Sequence, residues 1–131
     1  MSHFGDHIII DCYDCSFSSL SNRQNIKDCI YDIVHACNMK LMNVPVVYKA
    51  EAVSEKDKGG YTAFAVITES HISMHTFPYR GYISIDAYTC RNDLEHTLIT
   101  DIIEEHFNPG TLDVKIVKRG TKFPDKDINI E

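Results

Sequence analysis

The sequence predicts an α+β fold: an antiparallel sheet with two helices on one face. Three observations carry that prediction. The chain has 131 residues, enough for one sizeable core and too few for two. Its elements follow the order βαββ(β)βαβ, with no internal repeat and no low-complexity segment. The middle strands succeed one another through short turns, the connection that antiparallel neighbours permit.

In chain order, residues 7–13 form an apolar, β-branched run that reads as the first strand. The polar stretch Ser16 to Asn25 reads as turns, with Ser21 or Asn22 placed to cap a helix. Ile26, Cys29, Ile30, Ile33, Val34, Cys37 and Leu41 then recur at three- and four-residue steps. That spacing makes one apolar helix face, with Lys27, Asp28, Asp32 and Lys40 mostly off it. Val44 to Ala52 is a second strand, and the charged, glycine-ending segment Ser54 to Gly60 an exposed hairpin loop. Strands over 61–68 and 82–89 flank a polar stretch, Glu69 to Pro78. Within it His71, Ser73 and His75 alternate with Ile72 and Met74, as in a half-exposed strand. Asn92 or Asp93 is placed to cap a second helix that buries Leu94, Leu98, Ile99, Ile102, Ile103 and Phe107. Asn108-Pro109-Gly110 ends it, Leu112 to Val117 is the last strand, and the tail from Lys122 is solvated. A sheet with helices on one side leaves its other face bare, so a homodimer pairing sheets or edges is expected.

Composition narrows the function classes. The net charge is −6, and no basic cluster exceeds Lys118-Arg119, which argues against a nucleic-acid or anionic-membrane surface. No apolar run reaches the length of a membrane span, and the N-terminus lacks a secretory pattern, so a cytoplasmic location is expected. The cysteines, Cys12, Cys15, Cys29, Cys37 and Cys90, are odd in number and read as reduced thiols. Cys12 and Cys15 have the spacing of a redox or zinc pair, but they end a strand and no second pair accompanies them. No metal is expected, and Cys29 and Cys37 read as packing residues.

The chemistry concentrates in Glu69-Ser70-His71, followed by His75-Thr76-Phe77-Pro78, Gly81-Tyr82, Asp86 and Tyr88-Thr89-Cys90. This pattern resembles the signature of the small prokaryotic S-adenosylmethionine decarboxylases. The opening run Gly5 to Cys15 is also similar to that family's first strand. The resemblance is close over 5–15 and 60–90 and looser elsewhere, and it implies that family's sandwich fold across a single domain, 1–131.

Decarboxylation at an α-carbon needs an electron sink, and no cofactor lysine or phosphate loop is evident here. The resemblance implies that the chain makes its own. Ser70 would attack the preceding carbonyl, and the chain would separate into 1–69 and 70–131, leaving a pyruvoyl group formed from Ser70. Glu69 would end the first piece. His75 would take the α-proton during elimination, a role that an imidazole suits near neutral pH. Thr62 would supply the processing hydroxyl where the family has serine. Cys90 would reprotonate the product carbon. The substrate, a small molecule with an α-amine, would form a Schiff base with the pyruvoyl carbonyl. Ser70 and His75 are an odd number of residues apart, so on one straight strand they face opposite ways. This mechanism therefore requires a bend or bulge near residue 70.

Two departures bear on the substrate. The family's ribose-binding Glu is replaced by Tyr79, which cannot give a diol two acceptor oxygens. Its adenine-stacking aromatic falls at Lys56, with Tyr48 as a conceivable substitute. On these losses the sequence favours L-ornithine or L-arginine as substrate, with Tyr79 as a binding residue. The alternative is S-adenosylmethionine itself, and either product would enter polyamine synthesis. Two other classes stand beside these: a non-catalytic regulatory paralogue that never processes, and a Cys–His hydrolase using Cys90 and His75. The latter lacks an orienting acid or oxyanion motif.

Overall fold

The computed structural model describes residues 3–56 and 58–129. It consists of one six-stranded sheet with three helices against one face. The strands are β1 (Gly5–Tyr13), β2 (Val46–Ala50), β3 (Gly60–Ile67), β4 (Ser70–Phe77), β5 (Tyr82–Thr89) and β6 (Thr111–Arg119). The helices are α1 (Phe17–Leu20), α2 (Arg23–Ala36) and α3 (His96–Phe107). Across the sheet the strands run β2-β3-β4-β5-β1-β6, each antiparallel to its neighbours. The predicted α+β class holds, with a third helix added to the expected two, and the polar stretch after Glu69 is indeed a strand.

The core lies between sheet and helices. Every second residue of the inner strands enters it: Ile8, Ile10 and Cys12 from β1, Ile83, Ile85 and Ala87 from β5, Ile72 and Met74 from β4. Ile26, Cys29, Ile30 and Ile33 meet them from α2, and Ile99, Ile103 and Phe107 from α3. Cys29 and Cys37 are buried packing residues, as expected. Ile10 is fully enclosed between β5 and β6, so Ile10→Ala should lower the unfolding free energy by about 2–5 kcal/mol, read as a drop in denaturant midpoint with an unchanged slope.

Asn22 caps α2, its Oδ1 accepting from the Asn25 amide at 3.0 Å. Four details of the helices depart from expectation. α2 ends at Ala36, so Leu41 lies beyond it and forms a β-bridge with Ile67 instead. Ser16 caps the extra helix α1 within the stretch read as turns, where one turn is too short to show periodicity. Neither Asn92 nor Asp93 caps α3, which starts after Glu95. The Asn92 amide donates instead to the His3 carbonyl, and Asp93 meets the Arg91 guanidinium. Leu98 is exposed, because the buried stripe of α3 runs through Ile99, Thr100, Ile103 and Phe107. Residues 121–129 of the tail are exposed, though the Phe123 ring packs at a tilt against Phe4, with centroids 4.5 Å apart. Of the predicted 54–60 loop, Asp57 lies outside the described residues.

The alternation that fills the core leaves a second, helix-free face of polar and aromatic residues. Cross-strand register aligns Tyr48, Thr62, His75, Ser84, Asp11 and Asp113 in one row over all six strands. A second row joins His71, Tyr88 and His7.

Candidate active site

The β3–β4 hairpin closes through only two residues, Thr68 and Glu69, because Ile67 pairs with Ser70. Glu69 takes φ 59, on the left-handed side that side chains with a β-carbon resist. Its side chain is exposed. Ser70 opens β4, and Cys90 stands just past the end of β5. The pairing of β4 with β5 brings them together: the Cys90 amide donates to Ser70 Oγ at 3.2 Å. Cys90 is partly exposed, whereas Cys12, Cys15, Cys29 and Cys37 are buried. Burial pushes the Cys12 thiol up to about 12 and raises the other three, which suits inert packing groups rather than nucleophiles. Among the described residues no group of three or more His, Cys, Asp or Glu is placed to hold a metal ion.

Thr62 and His75 form the second cluster. They are direct cross-strand partners, and Thr62 Oγ1 lies 3.1 Å from His75 Nδ1. Both project from the helix-free face, where His75 is exposed. The extra methyl of threonine therefore does not prevent the hydroxyl from reaching the imidazole.

The bend expected near residue 70 is absent. Pairing runs without interruption from Ile67↔Ser70 to Thr62↔His75 on one side of β4, and from His71↔Tyr88 to Phe77↔Tyr82 on the other. The two-residue turn absorbs the whole reversal, so the unusual backbone sits on Glu69 rather than in a bulge. Ser70 and His75 thus occupy opposite faces, and five strand residues at about 3.3 Å each set them ~16 Å apart. The structure builds two pairs, Ser70 with Cys90 and Thr62 with His75, and does not unite them within one chain.

Beside His75 on the same face, Phe77, Tyr82 and Tyr13 form an aromatic floor, with ring centroids 5.5 Å apart for Phe77 and Tyr82 and 5.3 Å for Tyr13 and Tyr82. They line a cavity of about 730 Å³ whose rim carries Lys56 and Arg80. Arg80 donates to the Glu55 carbonyl at 3.1 Å and meets no carboxylate among the described residues. Beneath the floor the Tyr82 hydroxyl donates to Asp11 Oδ1 at 2.6 Å, and burial, then that bond, raises the phenol's pKa. Tyr79 is not part of this cavity. Its ring lies edge-on to Phe17 at 5.1 Å, on the side of α1. Tyr48 projects, exposed, beside Thr62.

Sequence reasoning gave no role to Asp11 or Arg80, and none to Tyr82 although it stands within the quoted pattern. Polar positions alternating with Ile10 and Cys12 in β1, and with Ile83 and Ile85 in β5, were the available signal. His71 stacks between Phe64 at 5.6 Å and Tyr88 at 5.5 Å, while His7 bonds to Asp86 at 3.0 Å. These form an aromatic band around the Ser70 end of the sheet.

Known proteins resemble this chain in sequence and in fold. The model of the S-adenosylmethionine decarboxylase family matches residues 6–120. A protein from Methanococcus maripaludis named S-adenosylmethionine decarboxylase proenzyme is 35% identical over 92% of this chain and 93% of its own length. A Methanococcus aeolicus protein of the same name is 30% identical over 92% of this chain and 97% of its own. A Bacillus cereus protein named S-adenosylmethionine decarboxylase proenzyme 2 is 32% identical over 91% of each chain. The crystal structure of the adenosylmethionine decarboxylase from Aquifex aeolicus superposes with a TM-score of 0.78 at 22% identity, over 98% of this chain and 100% of that one.

Proposed function

The chain belongs to the S-adenosylmethionine decarboxylase family of pyruvoyl-dependent decarboxylases, and from that premise we propose that it cleaves itself before Ser70 and decarboxylates S-adenosylmethionine. The single observation that carries the processing half is the sorting of Ser70 with Cys90 and Thr62 with His75 into two ready-made pairs.

In the first step Ser70 Oγ bonds to the Glu69 carbonyl carbon, the Glu69–Ser70 C–N bond breaks, and the hydroxyl proton passes to the freed amine. His75 then removes the Ser70 α-proton, the Cβ–Oγ bond breaks, and Glu69 leaves as a carboxylate. The remaining dehydroalanine tautomerises to an imine, which water hydrolyses with loss of ammonia. The pyruvoyl group so formed supplies the electron sink for decarboxylation. Thr62, within hydrogen-bond distance of His75 Nδ1, orients the imidazole and leaves Nε2 to face the α-proton. Cys90, held beside residue 70, is the proton donor to the product carbon.

His75 cannot reach the Ser70 of its own strand. We therefore assign it to the Ser70 of a second copy in a homodimer. His75 is exposed on the helix-free face, and the two-residue β3–β4 turn that carries Ser70 lies at the end of its strands, open to a partner that approaches past the strand ends.

On substrate this reading reverses the preference drawn from Tyr79 and Lys56 alone. The named relatives are S-adenosylmethionine decarboxylase proenzymes. The cavity one row from His75 has an aromatic floor suited to a planar base and a rim of two cations, Lys56 and Arg80. A cationic ornithine or arginine side chain would meet those charges, whereas an adenosine body is uncharged there. The basic amino acids stay as the second reading because Tyr79 turns towards Phe17 and supplies no diol contact. Purified protein given S-adenosylmethionine, ornithine and arginine in parallel should release carbon dioxide at least tenfold faster from the first. Faster release from either amino acid would establish the second reading instead.

A further inference from the structure

Four described non-glycine residues have positive φ: Asp14, Asn38, Glu69 and Asn108. Three are the aspartate and asparagine types that tolerate this conformation through local side-chain hydrogen bonding. Glu69, at φ 59, is the exception, and it is the residue whose carbonyl carbon the processing step must attack. The side chain is exposed, with no hydrogen bond or ion pair from its carboxylate among the described residues. Strand pairing is continuous up to the turn on both sides, so the hairpin has no slack to relax into. On the far side of the bond, Ser70 Oγ is tethered by the Cys90 amide at 3.2 Å.

We propose that Glu69 is a positioning residue for self-cleavage, because the left-handed backbone forced on it by the two-residue turn is relieved when its bond to Ser70 opens. The idea rests on the self-processing reading. The first step forms the Glu69 C–Ser70 Oγ bond and breaks the Glu69 C–Ser70 N bond, the hydroxyl proton passing to nitrogen. It exchanges a planar amide that spans the turn for an ester to a side chain, and later for a free chain end. Either product lets Glu69 return to negative φ. A residue that is content at positive φ removes this drive; a residue with a β-carbon keeps it, whatever its charge.

The prediction is a ranking by backbone preference rather than by side-chain chemistry. Unprocessed protein made by cell-free synthesis should be followed on denaturing gels as the two pieces appear. Glu69→Gly should cleave about tenfold more slowly than Glu69→Ala and Glu69→Gln, a barrier difference of about 1.4 kcal/mol, with Glu69→Asn between them. In a Ser70→Ala background, where cleavage is blocked, the order should invert, and Glu69→Gly should melt at a higher temperature than its Glu69 parent. A glycine variant that cleaves as fast as the alanine variant would overturn the proposal. So would alanine and glutamine variants as slow as glycine, which would point to the carboxylate. If the unsubstituted chain does not cleave at all, the processing reading fails by itself, and the melting comparison still decides whether Glu69 is strained.

Discussion

Ser70→Ala should yield a single uncut polypeptide with no measurable decarboxylation, while the fold survives. The substitution removes the nucleophile of the first processing step and the atoms that become the carbonyl, so both activities go together. Loss of a group that acts in every turnover costs orders of magnitude in rate, and here no electron sink is ever formed. The structural cost is small by comparison. Ser70 Oγ accepts one hydrogen bond, from the Cys90 amide, and its loss is worth about 0.5–1.5 kcal/mol. A thermal midpoint within a few degrees of the parent, an intact chain and no carbon dioxide release are the expected results together. Cleavage that persisted in this variant would place the scissile bond elsewhere.

His75→Ala expressed alone should also stay uncut, and co-expression with Ser70→Ala should rescue it. Each variant retains what the other lacks: one keeps Ser70 and Cys90, the other keeps Thr62 and His75. With equal expression and random pairing, about half of the His75→Ala chains meet a Ser70→Ala partner and should be cleaved, the partner staying whole. The physical basis is strand geometry. The ~16 Å between residues 70 and 75 and their opposite orientation on an unbroken strand forbid proton transfer within one chain. Mass spectrometry with an isotope-labelled copy tells which chain is cut. If both variants remain intact together, His75 acts within its own chain after a rearrangement, or not at all.

Much of the fold was legible in the sequence because it depends on local periodicity. The three- and four-residue spacing of Ile26, Cys29, Ile30 and Ile33 gave α2, and alternation through Ile72 and Met74 gave β4 its inner face. The resemblance singled out Ser70, His75 and Cys90 as the groups proposed to react. What was not legible depends on register. A twenty-residue separation says nothing of contact until β4 and β5 pair and set Cys90 against Ser70. Uniting Ser70 with His75 in one chain would take a bend at residue 70, and continuous pairing leaves no room for it. Caps failed where long-range bonds compete: Asn92 has a capping side chain but spends its amide on His3. The substrate preference turned on Tyr79 and Lys56 taken singly, since only folding reveals that Lys56 and Arg80 share the rim of one aromatic cavity.

The most direct test is the intact mass of freshly purified protein under denaturing conditions, with borohydride trapping in a parallel sample. Two polypeptides, one ending at Glu69 and the other beginning with a ketone-bearing remnant of Ser70 that gains mass on reduction, are what this account predicts. One continuous chain of 131 residues, unchanged by borohydride, would contradict it.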